Sequence, residues 1–525
     1  MNKIYITMTA MLTALTVQAQ INIDTYKYAD ATQLWRLTGN AAGLSLDPET
    51  CDSSANRGVV WFDLSHRSGD YHRVQEGGQT NQLRFYTERY QKVGKYLYGF
   101  GSFDFNMGRT KDRAWSDVLR SYNSNPYISG SSVPASYDHQ NFTLEAKLAT
   151  IPLGHFTYGA SLLYKVGDLS RLRDPRSRIN LAEYKLTPSV TYSTGQHTLG
   201  LALHYDRRKE KLPNMTTVQT NPNLAYYTMT GLENATGTIG GYNGYMREYV
   251  NHEFGAELDY GFRGRQWKSV NALTLSTGRE YIYGQYKYEP GTYRNIIYGL
   301  ASHNRIQQSG LLHQIDVQMT YEAGAADEYK SERISTTDAE SGVTSVEWRK
   351  ILEYKQRYQL KKLDADLHYR LSWTDRQAVK GYFGAGYTLQ SVSNKHLLYT
   401  SEQKTAGSTF LAEGGYSLMG RHLWVEGAFD YHLSHKADLD LHDATTDYAQ
   451  AVLLPDMAYY EANYWRAHLA VTYQFPLTIK GYTSQWFVKA YGSYLIATPH
   501  SDQRSEKTTN SLKSQTAGLS FGVYY

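Results

Sequence analysis

Strict alternation of apolar and polar residues recurs along this chain in segments of ten to sixteen residues. One segment near the C-terminus places Leu519, Phe521 and Val523 on one face and Gly518, Ser520 and Gly522 on the other. Because successive side chains of a β-strand point to opposite faces, this period predicts strands with one apolar and one polar face. Such segments fill most of residues 58–525, which predicts an all-β fold.

Segment length and aromatic placement narrow the choice among all-β folds. Trp465 and Phe475 bracket one apolar face, and Trp486 and Tyr494 bracket another. A tilted strand of this length covers the apolar band of an outer-membrane barrel, about 25 Å tall, and aromatic rings are favoured at its two borders. The 48 tyrosines suit such girdles. A transmembrane antiparallel β-barrel is therefore predicted, with a secreted β-sandwich or propeller as the alternative.

The connections between the alternating segments predict the topology. Short turns fall at 92–95, 151–155, 193–196, 263–266, 307–310, 373–376, 418–421 and 476–482, and long polar loops lie near 110–137, 168–183, 209–246, 332–347, 436–457 and 498–509. Counting strands between them gives about eighteen, with sixteen to twenty plausible. Outer-membrane barrels turn tightly on the periplasmic side, so both chain ends are predicted to be periplasmic.

The first residues have the pattern of an export signal. Lys3 provides a positive start, residues 4–16 are apolar, and cleavage is expected between Ala19 and Gln20. Residues 1–19 are therefore predicted to be a signal peptide that carries the chain out of the cytoplasm. The barrel is predicted to lie in the outer membrane of a Gram-negative cell. Residues 20–57 then form either a small hatch inside the lumen or a periplasmic tail, and the sequence leaves both open.

Two family resemblances bear on this segment and on the barrel. The stretch Asn40-Ala41-Ala42 resembles the N-terminal hatch of the FadL family of hydrophobic-substrate channels, without that family's proline. The opening from Leu34 to Asn40, the segment from Gly99 to Phe103 and the ending from Gly522 to Tyr525 look like an uncharacterised outer-membrane barrel family of Bacteroidota. That second resemblance implies an outer-membrane barrel whose gene lies beside TonB-dependent receptor genes.

The last strand carries a predicted assembly signal. Its alternating apolar residues and terminal aromatic are the features that the barrel-assembly machinery of Gram-negative bacteria favours in a final strand. The residues concerned are Leu519, Phe521, Val523 and Tyr525. Chance alternation in any β protein is the alternative explanation.

Charged residues alternate with the apolar ones and are predicted to face the lumen. The candidates are Asp364, Asp366, His368, Arg370, Glu426, Asp430, His432, Arg466, His468 and Lys489. Mixed signs on neighbouring strands favour ladders that stiffen the barrel, and a selective permeation path is the alternative. A metal site is not predicted, because a spacing of two residues reports only a shared strand face.

Other functional classes receive less support. The formal charge of +4 is small for 525 residues, so nucleic-acid binding is not expected. No Gly-x-Ser-x-Gly motif is present, and an outer-membrane protease or lipid hydrolase is a minor alternative without a residue to name. No cofactor is predicted.

One loop is rich in arginine. Arg171, Arg173, Arg176 and Arg178 have guanidinium groups that pair well with phosphate, so they are candidates to contact lipopolysaccharide. A plain solvated loop is the alternative.

Taken together, the sequence favours a channel, or an accessory subunit of a TonB-dependent receptor or surface lipoprotein, in nutrient or ion uptake. A surface barrel whose loops bind a protein, polysaccharide or lipopolysaccharide is the second hypothesis.

Overall fold

The computed structural model describes residues 22–47, 56–120, 124–213, 215, 225–239, 245–479, 482–499 and 512–525. The predicted signal peptide, with its cleavage between Ala19 and Gln20, lies outside these residues. The described part of the chain is almost entirely β-strand, so the all-β prediction is confirmed.

Eighteen strands form one closed barrel in which sequence neighbours pair antiparallel. They are β1 (Arg57–Gly69), β2 (Gln79–Val93), β3 (Leu97–Arg113), β5 (Ala135–Thr150), β6 (Phe156–Arg171), β7 (Arg178–Thr194), β8 (His197–Leu212), β11 (Arg247–Arg263), β12 (Trp267–Tyr283), β13 (Gly291–Gln308), β14 (Leu311–Thr337), β15 (Thr344–Asp375), β16 (Ala378–His396), β17 (Ser401–Leu418), β18 (Leu423–Asp440), β19 (Asn463–Ile479), β20 (Tyr482–Thr498) and β21 (Leu512–Tyr524). Three short strands, β4 (Ile128–Ser131), β9 (Ala225–Gly231) and β10 (Asn234–Ile239), form a separate sheet.

The first and last strands close the barrel. β1 pairs with β21 along its length, so that Val59 lies opposite Tyr524 and Gly69 opposite Ser514. Closure satisfies the hydrogen bonds that an open sheet edge would leave exposed. The predicted count of about eighteen strands is confirmed.

The outer face of the barrel is apolar and exposed. Each of the eighteen strands places at least one large apolar side chain there that is more than about a third exposed, among them Phe62, Leu258, Leu367, Phe429 and Leu469. A belt of this extent far exceeds the few hundred Å² that a soluble monomer normally exposes. The outer face is therefore built to contact lipid, while polar residues alternate onto the inner wall.

The two ends of the barrel differ. At one end, called the short-turn end, neighbouring strands join through tight turns at the predicted positions, with Gly94 and Gly195 in the left-handed region (φ 68° and 59°) that a glycine adopts without strain. The other end, called the long-loop end, carries the long connections. The prediction of a long loop at 332–347 is wrong, because β14 and β15 continue as a hairpin and leave only residues 338–343 as the turn.

Elements outside the barrel wall cover both ends. At the long-loop end, a π-helix (Ala449–Leu453) continues into α2 (Leu454–Tyr460) and packs beside the three-stranded sheet. At the short-turn end lie α1 (Ile23–Thr32) and two 3₁₀ helices, Trp35–Leu37 and Ala41–Leu46. Among the described residues, no helix has the length and hydropathy to cross a bilayer.

Candidate functional site

Residues 22–47, called the lumenal segment, contact the inner wall at the short-turn end. The Arg305 guanidinium of β13 donates a hydrogen bond to the Ala31 carbonyl over 2.6 Å, and the Gln474 side chain of β19 accepts from the Ile23 amide over 3.1 Å. The 3₁₀ helix Ala41–Leu46 packs on β5, β6 and β7. These strands lie at different places around the circumference, so the lumenal segment runs across the bore.

Local sequence explains how the lumenal segment folds. Asn22 caps α1 by accepting a hydrogen bond from the Thr25 amide at 3.0 Å, and Asn40 caps the second 3₁₀ helix by accepting from the Ala42 amide at 3.1 Å. Such caps satisfy backbone donors that a short helix cannot pair internally. The Asn40 side chain also donates to the Asp259 carboxylate at 2.8 Å, which fixes the segment to β11.

Small residues allow the lumenal segment to approach the wall closely. Ala41 and Ala42 are fully buried, and a Cβ atom at Gly159 of β6 would lie 2.3 Å from the Ala42 nitrogen. Trp35 similarly covers Gly261 of β11, where an added Cβ would lie 2.6 Å from its ring. The wall is thus shaped to receive the segment.

A charged contact joins α1 to the opposite side of the barrel. The Lys27 ammonium lies 2.6 Å from the Glu426 carboxylate of β18. Nearby, the indole N–H of Trp424 donates to the Asp24 carboxylate, and burial raises the pKa of Asp24. These polar contacts attach α1 to β18.

A chamber of about 510 Å³ lies under the long-loop end. Its volume is within the range of small-molecule sites. Six tyrosines line it, together with five side-chain amides: Tyr71, Tyr358, Tyr448, Tyr459, Tyr460, Tyr464, Gln75, Asn125, Gln390, Asn394 and Gln403. The predicted lumen residues Asp364 and His432 also lie on its wall.

The roof of the chamber is held by contacts between loops. The Val74 amide donates to the Asp456 carboxylate of α2 at 2.9 Å, and the Gln75 side chain donates to the Tyr448 hydroxyl at 3.2 Å. Asp456 is only 6% exposed, and burial raises its pKa to about 7. The connection between β1 and β2 and the helix before β19 therefore form one packed lid.

A buried ionic cluster attaches the β3–β4 connection to the wall. The Arg120 guanidinium lies 2.8 Å from Glu210 of β8 and also pairs with Glu280 of β12. The Asn125 side chain donates to Glu280 at 2.7 Å. Both carboxylates are almost fully buried, so they need positive charges to balance them away from water. Arg120 pairs with both, and Arg208 lies 3.7 Å from Glu280.

All ten predicted lumen residues lie on the inner face. They alternate with exposed outward residues such as Leu367, Phe429 and Leu469. They are Asp364, Asp366, His368, Arg370, Glu426, Asp430, His432, Arg466, His468 and Lys489. Several pair with a neighbour: Arg466 lies 2.6 Å from Asp430, and Asp364 lies 2.9 Å from Lys362. Within the described ranges, no three His, Cys, Asp or Glu side chains are arranged to hold a metal ion.

Two important partners were absent from the sequence-based candidates. Glu413 of β17 lies 2.6 Å from Arg370 and 3.0 Å from His368, and it alternates with the outward Phe410 and Tyr416, a signal that identifies its face. Lys27 carries no comparable signal, because nothing in the sequence around it indicates where the lumenal segment folds.

The arginine-rich loop is only partly available to an external anion. Arg171 is 2% exposed, and its guanidinium donates to the Val133 carbonyl at 2.7 Å and the Tyr137 hydroxyl at 2.8 Å. The prediction that Arg171 contacts an anion is therefore wrong, since this side chain is used inside the loop packing. Arg173 is exposed, and Arg176 and Arg178 are more than half exposed but lie 3.1 Å and 2.7 Å from Asp174 and Asp168.

The residues of the predicted assembly signal share the outer side of β21 by alternation. Leu519 and Phe521 are 52% and 45% exposed, whereas Val523 is buried. Tyr525 follows the strand and exchanges backbone hydrogen bonds with Gly58.

A closed antiparallel barrel with an apolar outer face and a polar, partly filled lumen defines a membrane-spanning β-barrel protein. The chain belongs to a family of unknown function, DUF6850, whose model matches residues 42–525. No curated protein matches the sequence. The resemblances to FadL channels and to Bacteroidota barrels stay predictions.

Solved structures with a similar architecture include several outer-membrane proteins. The copper transporter OprC is 8% identical, with a TM-score of 0.38 and coverage of 89% of this chain and 80% of that chain. The ferric yersiniabactin uptake receptor FyuA from Yersinia pestis is 9% identical, with a TM-score of 0.38 and coverage of 90% and 80%. The outer membrane protein opdK from Pseudomonas aeruginosa is 9% identical, with a TM-score of 0.36 and coverage of 91% and 100%.

Proposed function

We propose that this protein is an outer-membrane barrel for nutrient or ion uptake, acting as a channel or as an accessory subunit, with the lumenal segment as its plug. In this proposal residues 1–19 are removed on export, residues 20–57 form the hatch and its tether, and residues 58–525 form the barrel. Both chain ends lie in the periplasm, because tight turns face that side in outer-membrane barrels.

The attachment of the lumenal segment carries the proposal. A barrel of this width encloses an aqueous lumen unless something fills it. Here the bore is crossed at the short-turn end by a short segment that is not paired into the barrel sheet. It is held by polar contacts, such as that of Asn40 with Asp259, and by apolar side chains such as Leu34 and Leu44 that pack on the wall. This segment can leave without unfolding the barrel, because the eighteen barrel strands pair with one another around the whole circumference.

Planar-bilayer conductance tests the plug. We expect the native chain to conduct little and a chain lacking residues 22–47 to show discrete steps. A matched deletion removes residues 332–348 from the tip of the β14–β15 hairpin, which is outside the lumen, and this variant should behave like the native chain. Absence of conductance in the 22–47 deletion, when that variant still migrates as a folded barrel, contradicts the channel.

The long hairpin favours a second candidate function, in which the barrel binds a partner. β13 ends its pairing with β14 at Glu328 and β16 ends its pairing with β15 at Tyr358, so the outer parts of β14 and β15 pair only with each other. Val343, Ile351 and Leu352 are 47–63% exposed there. A free-standing hairpin with apolar side chains suits a protein partner such as a TonB-dependent receptor or surface lipoprotein.

A pull-down from native membranes tests this second function. The native chain should retain a stoichiometric partner that a chain lacking residues 330–352 loses, because this deletion removes Val343, Ile351 and Leu352. Equal recovery of the partner with both chains shows that the hairpin does not hold it. No partner with either chain contradicts the accessory role, and conductance then tests the channel function alone.

A further inference from the structure

The Lys27 ammonium occupies a cage on the inner wall. Its nitrogen lies 4.8 Å from the ring centre of Trp424 and 5.6 Å from that of Tyr382, and 2.6 Å from the Glu426 carboxylate. The Tyr382 hydroxyl donates to the same carboxylate oxygen over 2.9 Å. Two aromatic rings and a carboxylate thus surround one positive charge.

The cage is built by the barrel wall alone. Tyr382 belongs to β16, and Trp424 and Glu426 belong to β18, so the ring and the carboxylate meet across the intervening β17. Gly415 of β17 makes this possible, because an added Cβ would lie 2.6 Å from the Tyr382 ring and 3.2 Å from the Glu426 side chain. Trp424 is fully buried, and Tyr382 is 8% exposed.

The chemistry of the cage selects one class of ligand. Aromatic faces attract cations through the ring quadrupole, and this attraction grows when water is excluded. A single carboxylate oxygen beside two rings suits an ammonium head on an alkyl chain, whereas a divalent metal ion requires more oxygen ligands. The charges nearby are already paired, since Arg370 lies 2.6 Å from Glu413 and Arg421 lies 3.8 Å from Asp24.

We propose that the Tyr382–Trp424–Glu426 cage is a binding site for alkylammonium cations, which Lys27 fills while the lumenal segment is in place. The inference rests on the proposed function, because a ligand reaches the cage only when Lys27 leaves it. An amine that enters the lumen then competes with Lys27, so the ligand class and the release of the plug are linked through one site.

Calorimetry with n-butylammonium chloride, which copies the end of a lysine side chain, tests the cage. The Lys27→Ala chain should bind it at least tenfold more tightly than the native chain, in which Lys27 fills the site. Adding Glu426→Gln or Gly415→Val to Lys27→Ala should abolish binding. Sodium chloride and n-butanol serve as controls for ionic strength and for the alkyl chain.

A second variant guards against refilling of the cage by another lysine. Lys489 interacts electrostatically with Glu426, so Lys27→Ala/Lys489→Gln removes a second nearby ammonium. Binding to either variant that depends on Glu426 supports the proposal. Equal binding to the native chain, binding that persists with Glu426→Gln, or no binding to either variant overturns it. Because this readout needs no conductance, a chain that conducts without binding the amine contradicts only the cage, and the reverse result contradicts only the channel.

Discussion

The backbone of Gly159 on the barrel wall lies directly against the backbone of Ala42 in the lumenal segment. A Cβ at Gly159 would be 2.3 Å from the Ala42 nitrogen and 2.6 Å from its Cα, whereas real contacts of this kind are much longer. This contact joins the two parts of the molecule at a place where neither can yield by turning a side chain. It therefore offers a way to displace the segment without touching its charges.

Gly159→Ala should loosen the lumenal segment. Overpacking of this kind costs about 1–3 kcal/mol. This cost weakens the attachment of the lumenal segment, because the hydrogen-bonded barrel sheet yields less easily than the segment does. Trypsin cleavage after Lys27 and Arg36 should become about tenfold faster or more, since about 1.4 kcal/mol is tenfold in an equilibrium. The matched control is Gly299→Ala, another inner-wall glycine, where the added Cβ meets only the Thr274 side chain at 3.3 Å. Equal cleavage of both variants contradicts the prediction.

Arg120→Met should release the β3–β4 connection from the wall. The substitution leaves Glu210 buried without its cation and leaves Glu280 with only Arg208, 3.7 Å away. Breaking a buried pair costs about 3–5 kcal/mol. Thermolysin should then cleave within residues 114–120 much faster. In contrast, Arg349→Met breaks an exposed pair with Glu332, for which less than about 1 kcal/mol is expected. Similar cleavage rates of the two variants would show that the buried cluster around Arg120 stabilises the β3–β4 connection no more than an exposed ion pair does.

The lid over the chamber should loosen as the pH rises. The pKa of Asp456 is about 7 in the folded chain and near 3.8 when exposed, so the folded state binds more protons between these values. Its contribution to stability is fully present below about pH 4 and is lost as the pH rises through about 7. Proteolysis of residues 441–462 should accelerate between pH 5 and pH 8, and Asp456→Asn should flatten this dependence.

The control for this pH effect is Asp438→Asn, a nearby carboxylate that is 66% exposed. It should leave the pH profile of the native chain unchanged. A profile that Asp456→Asn does not alter would assign the effect to another group.

Phe521→Ser should reduce the yield of folded barrel if the last strand is an assembly signal. The readout is the fraction that migrates as a compact barrel without heating, and we expect it to fall several-fold. Phe383→Ser makes the same change at another outward-facing, exposed site, on β16, so it controls for the loss of one lipid contact. Equal losses in both variants would leave lipid contact as the sole explanation.

The alternation of residues was sufficient to predict the barrel, its count of about eighteen strands and their two faces. It did not predict the short strands β4, β9 and β10, which lie in stretches predicted as loops. His368, Glu426 and Lys489 were placed on the inner wall from sequence alone, because the direction of a side chain along a strand depends only on the local backbone. The positions of the tight turns could also be predicted, since glycine and polar residues interrupt the alternation. The hairpin at 332–347 was mistaken for a loop because its charged residues lie where neither face meets lipid or a packed core.

The burial of Arg171 could not be predicted from the sequence. Its position in an arginine-rich loop indicated an exposed cation. Instead, its guanidinium donates hydrogen bonds to the Val133 carbonyl and the Tyr137 hydroxyl, both at least 34 residues away in the sequence. Composition reports charge, but burial depends on which distant segments fold over a residue.

The sequence by itself determined that this chain forms a barrel with an apolar exterior and a charged interior, since both follow from a period of two residues repeated along strands. Only the tertiary structure decided what the interior holds. Lys27 meets Glu426 and Asn40 meets Asp259 because barrel closure and strand register bring residues together across more than two hundred positions of sequence. A segment without periodicity, such as residues 22–47, gives no local indication of the wall it will contact, and the wall itself exists only after the last strand has paired with the first.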